Sequence, residues 1–258
     1  MNTFRAICLI YATLILPLNG QEHNRLTPEE KSAGWELLFD GATTKGWRSL
    51  SDPSFPRSSW VVEEGTLHSL GEPADNPWID LVTTESFGEF DLTLDWKLSE
   101  KGNTGIKYLV QDAYFGELLG ARRGPKALGF EFQLVDDQRD ADALSSAEQR
   151  SGSLYYLLPP KPESTPLAGS WNSARLIVRN GEVEHWVNGQ QVLRFALASP
   201  KLREALDQAI AANPRPMTLA GLRAMRERVK TVTPIALQHH IGTVWFRNVK
   251  VRRLGTMK

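Results

Sequence analysis

The stretch "FDLTLDWKLS", residues 90–99, shows most clearly which kind of fold the chain adopts. Apolar and polar residues alternate along it, and the apolar ones are Phe90, Leu92, Leu94, Trp96 and Leu98. Successive side chains of a strand point to opposite faces, so this alternation predicts a strand with one apolar and one polar face. Such strands are typical of antiparallel sheets that cover a core on one side only.

Similar patterns follow on both sides of this strand. "SWVVEEGTLHS" (59–69) predicts strands at Trp60 to Glu63 and Thr66 to Ser69, and "GNTGIKYLVQD" (102–112) and "GFEFQLVDD" (129–137) predict one each. "ARLIVRNGEVEHWVNGQQVLRF" (174–195) predicts three strands, because its two Asn-Gly pairs suit type I′ hairpin turns. "PIALQHHIGTVWFRNVKVRRL" (234–254) predicts two closing strands around Gly242. With about ten to thirteen strands and no βαβ alternation, the chain is expected to form an all-β antiparallel sandwich.

One segment has helical instead of strand spacing. Residues 199–230 carry apolar side chains at Leu202, Leu206 and Ile210, and again at Leu219, Leu222 and Met225, with "NPRP" between the two groups. Proline interrupts a helix, so the pattern predicts a helical hairpin inserted in the sandwich. We therefore expect one domain over residues 34–254, preceded by a polar segment at 21–33 in which "LTPEEKSAG" forms a short capped helix or a loop.

The first twenty residues have the pattern of a secretory signal peptide. Arg5 precedes an apolar run from Ala6 to Leu18, which is too short to cross a bilayer comfortably. We expect cleavage near Gly20 and a secreted or periplasmic protein that no longer contacts the membrane. Cys8, the single cysteine, lies in this segment, so the mature chain would have no thiol for catalysis, disulfides or thiolate metal sites.

Charge and motifs exclude several functional classes. Thirty basic residues balance thirty acidic ones, so no net field favours nucleic acid as a partner. The sequence contains no H-E-x-x-H, no G-x-S-x-G, no P-loop and no glycine-rich dinucleotide motif. No strict metal-ligand spacing occurs either, so the cofactor stays open, with a divalent cation such as Ca²⁺ as one option.

Polar residues on three of the predicted strands share faces. By strand parity the groups are Glu131 with Gln133, Asn103 with Gly105 and Lys107, and Gln238 with His240. If the three strands are neighbours, a carboxylate, an ammonium, an imidazole and several amides surround one concavity. Sugar sites need this mixture, because hydroxyl groups require paired donors and acceptors and proton transfer requires a titratable group.

Each of these residues also has an ordinary structural explanation. Glu131 and Lys107 can be solvated sheet residues, and His240 can be a structural histidine. His239 points the other way by parity, and we interpret it as structural. Asp136 can cap a turn, bind a cation or hold Lys107, and we expect it to orient the site. Trp171 opens a strand after a proline-rich loop, where it is expected to stack on a sugar.

Seven blocks of the sequence, in order, resemble the DUF1080 family, also described as the 3-keto-disaccharide hydrolase or 3-keto-glycoside lyase/hydratase domain. The blocks are "GWELLFDGATTKGW", "WVVEEGTL", "LVTTESFGEFDLTLDWKLSEKGNTGIKYL", "GFEFQLVDD", "SGSLYYLLPP", "SWNSARLIVRNGEVEHWVNG" and "IALQHHIGTVWFRNVKVRRL". The resemblance covers residues 34 to 254 and implies an exported concanavalin A-like jelly-roll sandwich with a carbohydrate site on one concave sheet. The chain departs from the family pattern at His239 and Ile241, where Asp and Gly are usual, and at Lys107, near which an Arg is usual. These departures leave the sugar and the linkage open.

The resemblance also implies a reaction. A small 3-keto-glycoside would lose its C2 proton and then expel its aglycone, with Glu131, His240 and Lys107 as catalytic residues. Gln133, Asn103, Gln238, Asp136 and Trp171 would bind the substrate. Two other functions stay open at this point: a lectin-like module without chemistry, and a classical glycan hydrolase. The hydrolase needs two carboxylates at the glycosidic bond, and only Glu131 stands out in the sequence.

Overall fold

Two antiparallel sheets lie face to face in the computed structural model, which describes residues 23–71, 77–114, 124–212 and 215–255. The chain is an all-β antiparallel sandwich, as the strand patterns predict, and a concanavalin A-like jelly roll, as the family resemblance implies. The expected signal peptide lies outside the described residues.

The larger sheet has eight strands and forms one layer of the sandwich. Seven of them follow the order β11-β10-β9-β6-β13-β4-β3, and β1 pairs with β13 at one side. Their bounds are β1 (Trp35–Leu37), β3 (Trp60–Glu63), β4 (Thr66–Ser69), β6 (Phe90–Leu98), β9 (Asn172–Arg179), β10 (Glu182–Val187), β11 (Gln190–Ala196) and β13 (Val244–Arg253).

The smaller sheet has five strands in the order β2-β5-β12-β7-β8. Their bounds are β2 (Trp47–Ser49), β5 (Leu81–Thr83), β7 (Asn103–Tyr114), β8 (Lys126–Val135) and β12 (Ala236–Leu237). The order makes β12, β7 and β8 direct neighbours, although 100 residues lie between the end of β8 and the start of β12 in the sequence. The three groups of polar residues picked out by parity therefore do lie on adjacent strands.

The core fills the space between the two sheets. All five apolar residues of β6 that alternate in the sequence are at most 2% exposed, and they pack with large buried side chains that include Trp60, Tyr108, Phe130, Phe132 and Phe246. Full burial of one such side chain contributes roughly 1.5 to 3 kcal/mol, so period-two alternation is the main stabilising pattern in this chain.

The two Asn-Gly pairs form the tight turns of the β9–β10–β11 meander. Asn180 and Gly181 have φ values of 51° and 74°, and Asn188 and Gly189 have 49° and 79°. Two consecutive positive φ angles define a type I′ turn, whose twist matches that of the flanking strands. These turns set the register next to them, and a bulge between His185 and Trp186 then shifts the β10–β11 pairing by one residue.

The described residues also form four α-helices and one short 3₁₀ helix. They are α1 (Pro28–Ser32), α2 (Ala141–Ser145), the 3₁₀ helix (Ala147–Gln149), α3 (Pro200–Ala212) and α4 (Pro216–Glu227). Thr27 and Glu30 form a capping box at α1. The predicted hairpin is present: α3 packs on α4, and α4 lies on β7 and β8. Among the described residues, no helix has both the length and the apolarity needed to cross a membrane.

A histidine lies inside the core. His185 has no exposed surface, and its ring stacks on Phe132 with centroids 4.2 Å apart. Its two nitrogens lie 3.0 Å from the Gly152 carbonyl oxygen and 2.9 Å from the Tyr108 hydroxyl. A neutral imidazole satisfies both contacts, one as a donor and one as an acceptor. Burial lowers the pKa of His185 to about 4, although the hydrogen bonds to the backbone partly oppose this shift.

The buried imidazole predicts acid sensitivity. The folded pKa of about 4 lies below the ordinary 6.5, so the unfolded chain binds the proton first as pH falls. The stabilising contribution of neutral His185 should be complete above pH 6.5 and disappear progressively towards pH 4, with a loss of about 3 kcal/mol. Urea unfolding at several pH values measures this dependence. His185→Gln removes this titrating group while His239, whose pKa is also about 4, still titrates. The slope between pH 6.5 and 4 should therefore be shallower in the variant but not zero, and an unchanged slope would contradict the prediction.

Candidate functional site

A pocket of about 610 Å³ lies on the face of the five-stranded sheet that points away from the core. Side chains of β7 and β8 form its floor, α4 forms one wall, and residues 140–142 and 155–156 form another. The floor contains Lys107 and Glu131, which stand directly opposite each other in the β7–β8 ladder. Their neighbours in sequence, such as Ile106 and Phe132, point into the core. Alternation along two adjacent strands thus places charged groups and core residues on opposite faces.

Glu131 and Lys107 form the centre of the floor. Glu131 Oε2 lies 3.9 Å from Lys107 Nζ, and the two side chains are only 12% and 6% exposed. Gly105 faces Gln133 in the ladder and lies below Glu131. A Cβ atom at position 105 would lie 2.6 Å from both Cγ and Oε1 of Glu131. The carboxylate can occupy its position only because residue 105 has no side chain.

A buried aspartate lies below this pair. Asp80, which comes directly before β5, accepts hydrogen bonds from Lys107 Nζ at 3.0 Å and from Lys126 Nζ at 2.9 Å. It also accepts the backbone N–H groups of Ala127 at 2.9 Å and His239 at 3.3 Å. Asp80 has no exposed surface, so all four donors serve to stabilise one desolvated charge.

These contacts set the charge states of the network. Burial raises the pKa of Asp80, but the attraction of Lys107 and Lys126 outweighs burial and brings the pKa to about 2. Burial lowers the pKa of Lys107, while Asp80 and Glu131 outweigh that effect and raise it above its ordinary value. Asp80 is therefore an anion and Lys107 a cation throughout the neutral range. The pocket floor has a permanent positive charge.

Glu131 has the opposite tendency. Burial raises the pKa of its carboxyl group, and the nearby charge of Asp80 raises it further. Lys107, Lys126 and a hydrogen bond from Gln238 only partly offset this effect. A carboxylate whose pKa is raised is a better proton acceptor than an ordinary one, which is the property that general bases need.

The amides predicted from parity surround Glu131. The hydrogen-bond network orients the Gln133 side chain so that its nitrogen donates to the Thr104 carbonyl oxygen at 3.1 Å and to Glu131 Oε1 at 3.2 Å. Asn103, Gln238 and His240 line the pocket. The His240 ring makes an edge contact with Trp78, with centroids 5.3 Å apart. Five of the eight predicted site residues therefore line the pocket. Gln133, which was expected to bind the substrate, is fully buried behind Glu131 and contacts its carboxylate instead.

Two predicted site residues lie elsewhere. Trp171 is on the other sheet, where Arg247 covers its ring at 3.9 Å and Lys97 lies 5.1 Å from its centroid. The expected sugar stacking by Trp171 in this pocket is wrong, because β9 belongs to the eight-stranded sheet. Asp136 is buried beyond the end of β8 and accepts the backbone N–H groups of Lys101 and Gln138. It caps the turn after β8 and does not line the pocket.

His239 contributes through its backbone. Its ring is buried between Trp60 and Trp78, on the side away from the pocket, as parity predicts. Its N–H group donates to Asp80, and its carbonyl oxygen accepts from Lys126. Burial, together with the positive charge of Lys126, lowers the pKa of the imidazole to about 4.

Sequence reasoning missed several residues of the site. Asp80 stands alone in "PWID", and no local pattern distinguishes it. By alternation along β8, Lys126 should face the same side as Phe130, which points into the core. The β7–β8 ladder is irregular between Tyr108 and Asp112, however, and Lys126 lines the pocket instead. Tyr155 also lines it and donates to Asp142 Oδ2 at 3.0 Å. The paired tyrosines of "SGSLYYLLPP" were a signal that could have identified Tyr155.

Further carboxylates lie at the side of the pocket. Asp140 caps α2 and accepts the N–H groups of Asp142 and Ala143, and Asp142 is held by Tyr155. Within the part of the chain that the structure describes, no group of three or more His, Cys, Asp or Glu side chains is arranged to hold a metal ion.

Neutralising Asp80 should destabilise the fold strongly. In Asp80→Asn, the ammonium groups of Lys107 and Lys126 lose the buried carboxylate that both contact, and breaking a buried ion pair in this way costs roughly 3 to 5 kcal/mol. Urea unfolding measures the loss. Asp207→Asn is the control, because Asp207 pairs with Arg226 on the surface and should leave the midpoint nearly unchanged. If both variants unfold at the same denaturant concentration, the buried network does not stabilise the sandwich.

The pocket, its charges and the sandwich around it can be compared with known proteins. Residues 34–252 match the model of the 3-keto-alpha-glucoside-1,2-lyase-like domain family. A protein of Bacteroides thetaiotaomicron named 3-keto-disaccharide hydrolase is 29% identical over 250 residues, which are 92% of this chain and 84% of that protein.

Solved structures show the same fold. The crystal structure of a candidate glycosyl hydrolase from Parabacteroides distasonis is 26% identical, with a TM-score of 0.74, and the match covers 91% of this chain and all of that one. A second candidate glycosyl hydrolase from the same organism is 19% identical, with a TM-score of 0.55 over 81% of this chain and 99% of that one, and shows the fold alone.

Proposed function

This chain belongs to the 3-keto-alpha-glucoside-1,2-lyase-like domain family, and on that premise we propose that it cleaves the glycosidic bond of 3-keto-glycosides by elimination. One observation carries the proposal: a largely buried carboxylate with a raised pKa lies 3.9 Å from a lysine that a buried aspartate keeps cationic. The similar protein named 3-keto-disaccharide hydrolase supports the substrate class.

The substrate's own ketone makes this reaction accessible to a single base. A carbonyl group at C3 acidifies the proton on C2, so a base can remove it and leave an enolate across C2 and C3. The enolate electrons then form the C1–C2 double bond while the C1–O bond breaks, and the electron pair leaves with the aglycone oxygen, which takes up a proton. Addition of water across C1 and C2 completes a net hydrolysis. No oxidant is required.

We assign the base to Glu131. Its carboxylate lines the pocket, its raised pKa increases its affinity for a proton, and Gly105 and Gln133 hold it in place. General bases of this kind contribute about 10² to 10⁴ in rate. His240 lines the same pocket and serves as the second proton carrier, towards the aglycone oxygen or the water that adds later.

Lys107 stabilises the enolate. Negative charge develops on the C3 oxygen as the C2 proton leaves, and a preorganised cation beside that oxygen lowers the barrier. Asp80 holds the Lys107 ammonium at 3.0 Å, so little reorganisation is needed when the charge appears. A positioned donor of this kind is worth roughly 3 to 4 kcal/mol. Asn103 and Gln238, which also line the pocket, bind the sugar hydroxyls.

The reaction takes place outside the cytoplasm in this proposal. The run from Ala6 to Leu18 after Arg5 has the length and polarity of a signal peptide.

Removing the base should abolish turnover. Wild type is expected to release the aglycone from a chromogenic 3-keto-glucoside and not from its unoxidised parent, whereas Glu131→Gln should be slower by at least about 100-fold. Deuterium at C2 should slow the wild type, because the C–H bond breaks during the reaction. The base must be deprotonated, and burial raises its pKa above the ordinary value of 4.5. The acid limb of the kcat/KM profile, where the rate decreases as pH falls, should therefore have its midpoint above pH 4.5. EDTA in a parallel assay tests for a metal.

Other outcomes of this assay point to the two remaining functions. Release from the unoxidised parent without an isotope effect at C2 would indicate classical hydrolysis, for which Asp140 or Asp142 supplies a second carboxylate. Binding without release from either compound would indicate a lectin-like module. Circular dichroism of Glu131→Gln controls for loss of the fold.

Displacing Glu131 without removing it tests the geometry separately. Gly105→Ala places a Cβ atom 2.6 Å from the Glu131 Oε1 position, so the carboxylate must move. A shift of about 1 Å costs roughly 100-fold in rate. Gly255→Ala is the control, because a Cβ there meets no atom within 4 Å, the residue has no positive φ angle, and it does not line the pocket. Unchanged kcat in Gly105→Ala would rule out Glu131 as the base.

A further inference from the structure

The pocket has an apolar wall that the proposed reaction does not use. This apolar wall consists of Pro216, Met217, Leu222 and Met225 of α4, together with Leu128 of β8. Two of the four methionines of the chain lie in it. The polar lining residues at this end of α4 are Arg215 and Thr218, and Arg215 donates to the Tyr156 hydroxyl at 3.1 Å. The pocket thus joins a charged floor to an apolar wall.

Gly221 leaves space in this wall. It lies in the interior of α4, where glycine is unfavourable compared with alanine because it loses more conformational freedom on folding. Packing does not explain it, since a Cβ atom at this position would meet only Leu128 Cδ2, at an ordinary contact distance of 3.7 Å. A side chain at 221 would instead reduce the space between α4 and β8, within the pocket.

The distance between the two parts of the pocket suits one ligand. Leu128 precedes Glu131 by three residues on β8, which separates their Cα atoms by about 10 Å. A sugar whose C2 lies at Glu131 therefore extends its C1 substituent towards the apolar wall. Arg215 and Thr218 are the polar side chains at this wall, so a second sugar would find few partners for its hydroxyl groups. An aromatic ring would gain contacts with Pro216, Met217 and Leu128, while Leu222 and Met225 behind them are largely buried in the core.

We propose that the apolar wall is an aglycone subsite for aromatic or similarly apolar groups, and that Gly221 sets the size it accepts. The preferred substrates are then 3-keto-glycosides with an aryl aglycone, not disaccharides. This inference rests on the proposed elimination reaction and specifies which aglycones that reaction accepts.

The test compares methyl, phenyl and naphthyl 3-keto-glucosides of one anomeric configuration. Gly221→Leu should lower kcat/KM for the naphthyl compound by about 10- to 200-fold, the range that one misfitting apolar group produces, and leave the methyl compound unchanged. Gly221→Ala should raise Tm by about 2 to 4 °C, which would show that the fold does not need glycine there. Arg223→Leu is the control, because it introduces leucine at an exposed position of α4 that does not line the pocket. It should leave the rates for all three compounds unchanged.

The apolar character of the wall is tested at Met217. Met217→Gln keeps the length of the side chain but adds polar atoms, so it should raise KM for phenyl and naphthyl compounds and not for the methyl compound. Met217→Leu keeps the surface apolar, so it should raise KM for the phenyl and naphthyl compounds less than Met217→Gln does. Equal effects of the glutamine and leucine variants would show that polarity of the wall is irrelevant.

Failures of the two proposals differ. Two results would overturn the aglycone subsite while leaving the elimination reaction intact. In the first, wild type turns over the keto compounds but Gly221→Leu affects the methyl, phenyl and naphthyl substrates equally. In the second, wild type turns over 3-keto-disaccharides faster than aryl compounds. If wild type releases nothing from any keto compound, the proposed elimination reaction is wrong. The aglycone specificity that rests on it is then wrong as well.

Discussion

The buried carboxylate of Asp80 is the constraint on which the site depends. It joins its own segment to three other parts of the chain, because its donors come from β7, from both Lys126 and Ala127 of β8, and from His239, two residues after β12. A charge without solvent must have such partners, so these segments cannot shift independently. The same contacts that neutralise Asp80 therefore also fix Lys107 beside Glu131. Stability and chemistry share one network.

This arrangement separates the tasks of the charged groups. Asp80 is an anion and Lys107 a cation whose charges do not change near neutral pH, whereas Glu131 has a raised pKa and remains able to exchange a proton. Two fixed charges beside one proton-accepting group match the proposed proton abstraction next to a carbonyl group. Classical attack at a glycosidic bond requires a second carboxylate, which Asp140 or Asp142 at the side of the pocket would have to supply.

The helical hairpin has a role beyond covering the sheet. A polar floor alone would make a shallow surface, as in a protein that only binds sugars. With α4 placed on β7 and β8, the floor becomes a pocket with an apolar side, and part of any ligand is removed from water. Removal of water from the pocket strengthens the electric field of Lys107 there, which is what the proposed reaction needs.

The sequence alone specified the strands, through the alternation of apolar and polar residues. Together with the Asn-Gly turns, this alternation determined the all-β fold, and the helical spacing interrupted by proline determined the helical hairpin. All of these signals are local. Parity placed Glu131, Lys107 and Gln238 on the correct faces for the same reason. Tertiary structure alone decided which strands became neighbours, and so assigned Trp171 to the other sheet and Asp136 to a turn. It also brought Asp80 and Lys126 to the site, since an isolated aspartate and a lysine next to an irregular ladder have no periodic pattern. Long-range charge pairing has no period in the sequence and arises only when the sheet is assembled.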